Sequence, residues 1–270
     1  MVRPFDKVLT RKPSKSLKNC VSPYINRYPL DFDKASDQYR SLIKILKSVG
    51  IEIIELEPLH AYPDSVFVQD AAVIGNKSRT AALSYFGEPS RRGEEEALAD
   101  VLKGEGLSIK KIVPPGTLEG GDVLVTDRNL VFLGETKRTN REGISQLMKI
   151  FSSVSYTIVP SDKFIHMPAG VRYLEDGLLV VAAGAADPKY FKGFEILELK
   201  EDLSPIKSAG PVRAYLMYIG NRQVILPPNN EKTAEALKAK GYTSITLDFT
   251  EFWKCNGSYM CLIQPFYNYL

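Results

Sequence analysis

Histidine and cysteine are scarce in this sequence, which has only two histidines and three cysteines among 270 residues. A structural zinc site is built from closely spaced Cys and His ligands, and no C-x₂-C or H-x₃-H pair is present. The spacing of Cys255 and Cys261 also differs from that of a thioredoxin-type redox motif. We therefore expect no metal. So few cysteines, in an odd number, predict reduced thiols in an intracellular, cytoplasmic protein.

The sequence also lacks long apolar runs and a strong excess of one charge. No segment suits a transmembrane helix and the N-terminus lacks the apolar stretch of a signal peptide, so no membrane association is expected. The net charge is only +3 and the basic residues are scattered, which argues against a nucleic-acid partner. The remaining composition, 44% hydrophobic and 25% charged, is typical of a globular protein.

One order of elements recurs along the chain at intervals of about 45–50 residues, a period typical of repeat architectures. Two short apolar strands are followed by a helix and a third strand, after Asp70, Gly121, Gly170 and Pro211. The two ends of the chain supply the parts of a fifth copy, with a helix over 31–49. Pairing of the last strand with the first would remove exposed sheet edges.

These repeats predict an α/β fold, a five-bladed α/β propeller of ββαβ-type repeats with pseudo-five-fold symmetry. The whole chain, 1–270, would form one domain in which the N- and C-terminal strands close the ring. A plain α/β sandwich with irregular repeats is the alternative.

Polar or reactive side chains stand beside the first strand of successive repeats. Asp64 and Asp70 stand by the start of the first repeat, Glu119 precedes the second and His166 the third, and Cys261 follows the last repeat. Each has an ordinary explanation when taken alone, such as turn formation by Asp or burial of a small cysteine. Around a pseudo-axis, however, these equivalent positions would converge. Their recurrence favours a functional site.

The chemistry of this set suits a guanidinium. A Cys with a His provides a nucleophile and its proton partner, and a carboxylate can orient the imidazole. Further carboxylates in a partly buried pocket match the five N–H donors of a planar guanidinium. Attack by the thiol would give a covalent thiouronium, and water would release a urea-type product. Arg91, Arg92 and Arg138 could bind a substrate carboxylate or could lie in solvent.

Six stretches, taken together, resemble the dimethylarginine dimethylaminohydrolases of the guanidino-modifying (pentein) superfamily. They are P-D-S-V-F-V-Q-D (63–70), S-R-R-G-E (90–94), T-L-E-G-G-D (117–122), G-E-T-K-R-T-N (134–140), H-M-P-A-G-V-R-Y-L (166–174) and N-G-S-Y-M-C (256–261). The resemblance covers essentially the whole chain. It implies a five-bladed α/β propeller that hydrolyses N-methylated arginines to citrulline and a methylamine without a cofactor.

The resemblance also implies individual roles. Cys261 would be the nucleophile, His166 the acid and base, and Glu119 its partner. The implied substrate contacts are Asp70 at the guanidinium, Asp64 at the α-amino group, Arg91 and Arg138 at the carboxylate, and backbone carbonyls near Val21 and Cys255. In this scheme Cys255 acts through its backbone and Cys261 through its sulfur.

Gln69 departs from the family pattern, which has Glu before the second Asp. Loss of a negative charge beside a cationic group makes arginine, agmatine or another guanidine a candidate substrate, and opens arginine deiminase-like hydrolysis or amidine transfer to an amine. The two arginines favour a substrate with a free carboxylate. In each case the expected partner is a small guanidinium molecule.

A non-catalytic function in the same architecture is also open. Translation initiation factor six has a five-fold pseudosymmetric ring and does no chemistry, and a sensor of arginine-like ligands would bind without turnover. A purely binding protein, however, has no need for Cys, His and carboxylates at equivalent positions. The state of assembly is open as well, with a homodimer among the options.

Overall fold

The computed structural model describes residues 3–205 and 211–270 and has a mixed α/β fold built from repeated units. The N-terminal part contains β1 (Lys7–Arg11), α1 (Phe32–Ser48) and β2 (Glu52–Leu56). The next two units contain β3 (Ala72–Gly75), β4 (Thr80–Leu83), α2 (Glu96–Gly104) and β5 (Ser108–Lys111), then β6 (Val123–Val125), β7 (Leu130–Glu135), α3 (Arg141–Ile150) and β8 (Ser155–Pro160). The remaining elements are β9 (Val171–Tyr173), β10 (Leu178–Ala182), β11 (Glu195–Leu199), β12 (Met217–Tyr218), β13 (Gln223–Leu226), α4 (Glu231–Ala239), β14 (Thr243–Thr246), α5 (Thr250–Lys254) and β15 (Ile263–Tyr267).

Within each unit the first two strands are antiparallel and the third is parallel to the second. This pattern holds for β3–β4–β5, β6–β7–β8, β9–β10–β11 and β12–β13–β14. The third unit replaces its helix with a single 3₁₀ turn, Pro188–Phe191, consistent with the shorter helical piece that the sequence predicts there. A proline at the start of that turn fixes φ and suits the first turn of a helix.

The strands from the two ends of the chain complete one more unit. β15 is antiparallel to β1, with Leu9 opposite Gln264, and β1 is parallel to β2. β15 also pairs in parallel with β3, which joins this unit to the first in a six-stranded sheet of order β2-β1-β15-β3-β4-β5. The terminal pairing that the sequence predicts is therefore confirmed.

Local signals explain where the first helix begins and which face it buries. Asp31 caps α1 by accepting a hydrogen bond from the backbone N–H of Lys34 at 3.0 Å. Tyr39, Leu42 and Leu46 recur at helical spacing and are buried against the sheet. None of the helices within residues 3–205 and 211–270 combines the length and apolarity needed to cross a membrane.

Candidate active site

Four one-turn 3₁₀ segments precede first strands and bring polar side chains together. They are Val68–Ala71, Gly120–Asp122, Met167–Ala169 and Met260–Leu262. The first contacts the second and the fourth, and the second contacts the third. Asp70 and Cys261 lie inside two of these segments, whereas Glu119 and His166 immediately precede the others. The convergence expected from the repeats is therefore present.

His166 lies between two carboxylates. Its Nε2 is 2.7 Å from Oε2 of Glu119, and its Nδ1 is 3.6 Å from Oδ1 of Asp70. Burial lowers the pKa of His166, but the charges of Asp70, Asp122 and Glu119 outweigh burial and raise it to about 10. The imidazole is therefore protonated at neutral pH and can give a proton to a leaving group.

Glu119 is ionised although it is completely buried. Burial raises the pKa of this carboxyl, but the hydrogen bond from His166 and the charges of Arg91 and Arg138 lower it to about 2. The Glu119–His166 pair is therefore a fixed ion pair at neutral pH. Such a partner holds the imidazole in one orientation.

Asp122 is a site residue that the sequence reasoning missed, although it closes the T-L-E-G-G-D stretch. Its Oδ1 accepts a hydrogen bond from the backbone N–H of Met167 at 2.9 Å, and its Oδ2 accepts one from the Thr136 hydroxyl at 2.8 Å. Complete burial raises the pKa of Asp122 to about 6. Through Met167 this carboxyl fixes the chain directly after His166.

Arg91 and Arg138, the two arginines predicted to bind the substrate carboxylate, have different contacts. Arg91 is buried and donates from Nη1 to Asp70 at 2.6 Å and from Nη2 to Glu94 at 2.8 Å. Arg138 makes longer contacts, 3.3 Å to Glu119 and 3.4 Å to Glu88. Arg91 therefore neutralises carboxylates, whereas Arg138 has donors left for a ligand. Arg92, the third arginine that the sequence offered for this role, instead stacks over Tyr85 and donates to the Phe86 carbonyl.

Cys261 is the one free thiol among the three cysteines, and it is only partly exposed. Its Sγ lies 3.4 Å from the backbone nitrogen and 3.5 Å from the hydroxyl oxygen of Ser258. The same hydroxyl receives a hydrogen bond from Nη2 of Arg172 at 3.3 Å. Burial lowers the pKa of the Arg172 guanidinium, and the negative charge of a Cys261 thiolate opposes this shift. The sequence reasoning missed Arg172, which falls within the H-M-P-A-G-V-R-Y-L stretch.

A narrow space that we name the carboxylate pocket brings most of the predicted site residues together. The site residues predicted from the sequence that line this pocket are Val21, Asp64, Asp70, Arg91, Glu119, Arg138, His166, Cys255 and Cys261. Gln69 is buried but does not line this pocket. It instead lines a second cavity, which shares Cys261 with this pocket.

Cys20 and Cys255 form a disulfide, which corrects two expectations from the sequence. These two thiols are not reduced, and Cys255 acts through its sulfur as well as by its backbone position. The cysteines are 235 residues apart, so only the fold brings them together. The bond holds Val21, whose N–H donates to Asp64 at 3.0 Å, at the rim of the carboxylate pocket.

Asp70, Glu119 and His166 are the one group in the described part of the chain with ligand atoms close enough to share a metal ion, all within 4.8 Å of one another. Arginine donors already occupy one oxygen of each carboxylate. The cluster is therefore arranged for proton transfer and cation binding.

Comparison with known proteins places this arrangement in a family. The family model for N,N dimethylarginine dimethylhydrolase, eukaryotic, matches residues 26–186. An uncharacterized protein of Aeropyrum pernix is 40% identical over 99% of this chain and 98% of its own length. The N(G),N(G)-dimethylarginine dimethylaminohydrolase of Pseudomonas aeruginosa is 31% identical over 97% of this chain and 100% of its own length.

A solved structure gives the same relationship in three dimensions. The Pseudomonas aeruginosa enzyme, as a cysteine-to-serine variant complexed with citrulline, superposes with a TM-score of 0.85 at 30% identity. The match covers 97% of this chain and 99% of that one.

Proposed function

Because this chain belongs to the dimethylarginine dimethylaminohydrolase family, we propose that it hydrolyses an N-methylated arginine to citrulline and a methylamine. One observation carries the proposal: the free thiol of Cys261 and the protonated imidazole of His166 border a pocket that holds three buried carboxylates. The citrulline bound to the Pseudomonas aeruginosa relative supports a ureido product.

The guanidinium binds at Asp70 in this proposal. Oδ1 of Asp70 is buried and has no hydrogen-bond partner, so it offers a free acceptor to a guanidinium N–H. Gly121 leaves the space open, because a Cβ there would lie 2.3 Å from this oxygen and 2.7 Å from Nδ1 of His166. Arg91 neutralises the other oxygen and holds the carboxylate in place.

The amino-acid end of the substrate lies toward Val21 and Cys255. Asp64 attracts the α-amino group and Arg138 the α-carboxylate, with backbone carbonyls near Val21 and Cys255 completing the subsite. Burial raises the pKa of Asp64, and the charge of Arg91 and the Val21 N–H counteract that shift. Arg91 would have to leave Asp70 and Glu94 before it could bind the carboxylate, so Arg138 is the better candidate.

The reaction proceeds in two steps. The Cys261 thiolate forms a bond to the guanidinium carbon, the C–N bond to the methylamine breaks, and His166 gives its proton to the departing nitrogen. Neutral His166 then removes a proton from water, which attacks the thiouronium carbon and breaks the C–S bond. Glu119 stabilises the imidazolium at the start and end of the cycle.

The five-bladed propeller arrangement is also proposed. We infer that the five strand units surround the site as blades of one propeller domain over 1–270, because four equivalent turns meet at it and β15 pairs with β1. A cytoplasmic location and a homodimer remain predictions of the sequence.

The proposal is tested by turnover of asymmetric dimethylarginine, monomethylarginine, arginine and agmatine, with ureido product and released amine measured separately. Wild type should release a methylamine, and Cys261→Ser should lower the rate by at least about 10³-fold because it removes the nucleophile. Ser78→Ala, outside both cavities, is the control. Turnover that survives in Cys261→Ser would refute the covalent mechanism. A folded wild type that converts none of the four compounds would refute the hydrolase and favour a binding function.

A further inference from the structure

A second cavity of about 230 Å³, which we name the arginine cavity, adjoins the carboxylate pocket at Cys261. It shares four lining residues with the carboxylate pocket: Ile165, His166, Asn256 and Cys261. Its own charged residues are Lys163, Arg172 and Arg213, and its lining includes no Asp or Glu within the described part of the chain. The two spaces that meet at Cys261 therefore differ sharply in charge.

The two arginines have donors to spare. Arg172 donates from Nε to the Ala214 carbonyl at 3.2 Å and from Nη2 to the Ser258 hydroxyl. Arg213 donates from Nη1 to the Pro211 carbonyl at 3.2 Å and from Nη2 to the Tyr24 hydroxyl at 3.0 Å. A guanidinium carries five N–H donors, so each keeps several unused. Both side chains belong to residues that are only 7% exposed.

Neither guanidinium forms an ion pair with a carboxylate of the described residues. A buried cation without a counterion is costly, so an anion entering this cavity would be stabilised strongly. Of the groups whose negative charge would stabilise Arg172, namely Cys261, Tyr215 and Tyr267, the Cys261 thiolate has the largest effect, and its charge disappears once the sulfur is bonded to the substrate carbon. During turnover, both arginines would then lack a protein counterion.

The route of the substrate places its leaving group at this cavity. If the amino-acid end occupies the carboxylate pocket, the guanidinium carbon must reach Cys261, where the two spaces meet. His166, which protonates the departing nitrogen, borders both spaces. A substituent on that nitrogen therefore extends into the arginine cavity. Gln69 borders this side too, so the glutamine adds no negative charge there.

Resting on the proposed function, we propose that the arginine cavity binds a carboxylate carried on the leaving nitrogen, and that Nω-carboxyalkyl-arginines are substrates in addition to the N-methylated ones. The planar carboxylate matches the fork of a guanidinium. With the carboxymethyl compound, Cys261 forms the C–S bond, the bond between the guanidino carbon and the substituted nitrogen breaks, and His166 protonates that nitrogen. Water then replaces sulfur on the carbon, so that one water and one substrate give citrulline and glycine.

Binding to Cys261→Ser tests this directly, because that variant holds ligands without turnover. Nω-carboxymethyl-L-arginine and Nω-isobutyl-L-arginine have side groups of similar size, and only the carboxymethyl group carries a charge. Calorimetry should give about tenfold or tighter binding of the charged ligand, as expected for a charged hydrogen bond. Equal binding of the two ligands would overturn the proposal without any further variant.

Arginine variants in the Cys261→Ser background then locate the effect. Arg213→Gln should reduce the preference for the charged ligand about tenfold, whereas Arg213→Lys should retain part of it. Arg222→Gln is the control, since this arginine is paired with Asp176 on another surface. An unchanged preference in folded Arg213→Gln would overturn the proposal.

The two proposals fail separately. Release of methylamine by wild type tests the hydrolase, whereas the binding preference tests the arginine cavity alone. Glycine release from the carboxymethyl compound would support both.

Discussion

At the scale of single residues, the site depends on how opposite charges are buried together. His166 is protonated because Asp70, Asp122 and Glu119 surround it, and Glu119 is ionised because His166, Arg91 and Arg138 oppose the effect of burial. Each charge in this group is therefore maintained by its neighbours. Removing one charge should change the protonation of the others, so pH dependence is a direct probe.

Glu119→Gln should change how stability depends on pH. The folded pKa of His166, about 10, exceeds its ordinary value of 6.5, so the protonated imidazole stabilises the fold fully below pH 6.5 and this contribution is lost as pH rises through 10. In both proteins the loss begins near pH 6.5, but without the Glu119 charge it should be complete at a lower pH and be smaller. Urea unfolding from pH 6 to 10 measures it. Identical pH slopes for wild type and variant would contradict the assignment.

The Glu119–His166 pair also predicts a loss of stability at acid pH. The folded pKa of Glu119, about 2, lies below its ordinary value of 4.5, so its charge stabilises the fold above pH 4.5 and that contribution is lost as pH falls toward 2. Glu119→Gln should lack this component of acid destabilisation. Unfolding measured between pH 3 and 5 provides the comparison.

Gly121→Ala should impair activity more than stability. Its Cβ would meet Oδ1 of Asp70 at 2.3 Å and the His166 ring at 2.7 and 2.9 Å, so these side chains must shift. We expect at least a 100-fold loss of turnover, about the cost of misplacing a reacting group by 1 Å. Gly104→Ala is the matched control, because a Cβ there would meet nothing within 4 Å. Equal activity of the two variants would contradict the packing argument.

At the scale of elements, short 3₁₀ turns position the chemistry while strands and helices support them. Each turn directly precedes a first strand, so the strand pairing fixes the turn. Glycine is required where the turns touch, since a Cβ on Gly120 would lie 2.2 Å from the Ala72 carbonyl. The turn residues of one unit are thus specified by the neighbouring unit.

The disulfide links two loops of the site, and its loss should be costly. Cys20→Ala with Cys255→Ala should lower the free energy of unfolding by about 2–5 kcal/mol, because the bond closes a very long loop. It should also weaken ligand binding, because Val21 would lose its anchor beside Asp64. Urea unfolding with and without a reductant measures the first effect. Wild type should respond to reductant and the double variant should not; an indifferent wild type would contradict a stabilising bond.

At the scale of the whole molecule, one strand connects the two ends of the chain. β1 lies between β15 and β2, and its Leu9 is completely buried. Leu9→Ala should lower stability by about 2–5 kcal/mol and shift one cooperative transition, because the first and last units share a sheet. Val113→Ala, at a half-exposed position, is the control. A separate early transition that spares turnover would contradict this coupling.

The separation of negative and positive side chains into two neighbouring cavities is also a property of the whole molecule. The carboxylates of one pocket and the arginines of the other come from different units, and they meet only at Cys261 and its neighbours. A ligand that spans both spaces would satisfy both sets of charges. A leaving group with a negative charge, as proposed above, would place that charge beside Arg172 and Arg213.

The sequence by itself determined the repeated unit, the pairing of the terminal strands and the residues Asp70, Glu119, His166 and Cys261. These features follow from the periodic spacing of apolar residues and from polar residues that interrupt this spacing. Both patterns are local and can be read from the sequence. Helix α1 could also be predicted from the sequence, because Asp31 marks its start and a stripe of apolar residues marks its buried face.

Only the tertiary structure decided the Cys20–Cys255 bond and the partners of Arg91. It also decided that the carboxylate pocket and the arginine cavity meet at Cys261. Cys20 and Cys255 are separated by 235 residues, and no spacing rule relates them. Arg172 and Arg213 resemble ordinary surface arginines in the sequence. Which charges are buried, and which lack a partner, depends on how distant segments pack, and local patterns carry no information about that packing.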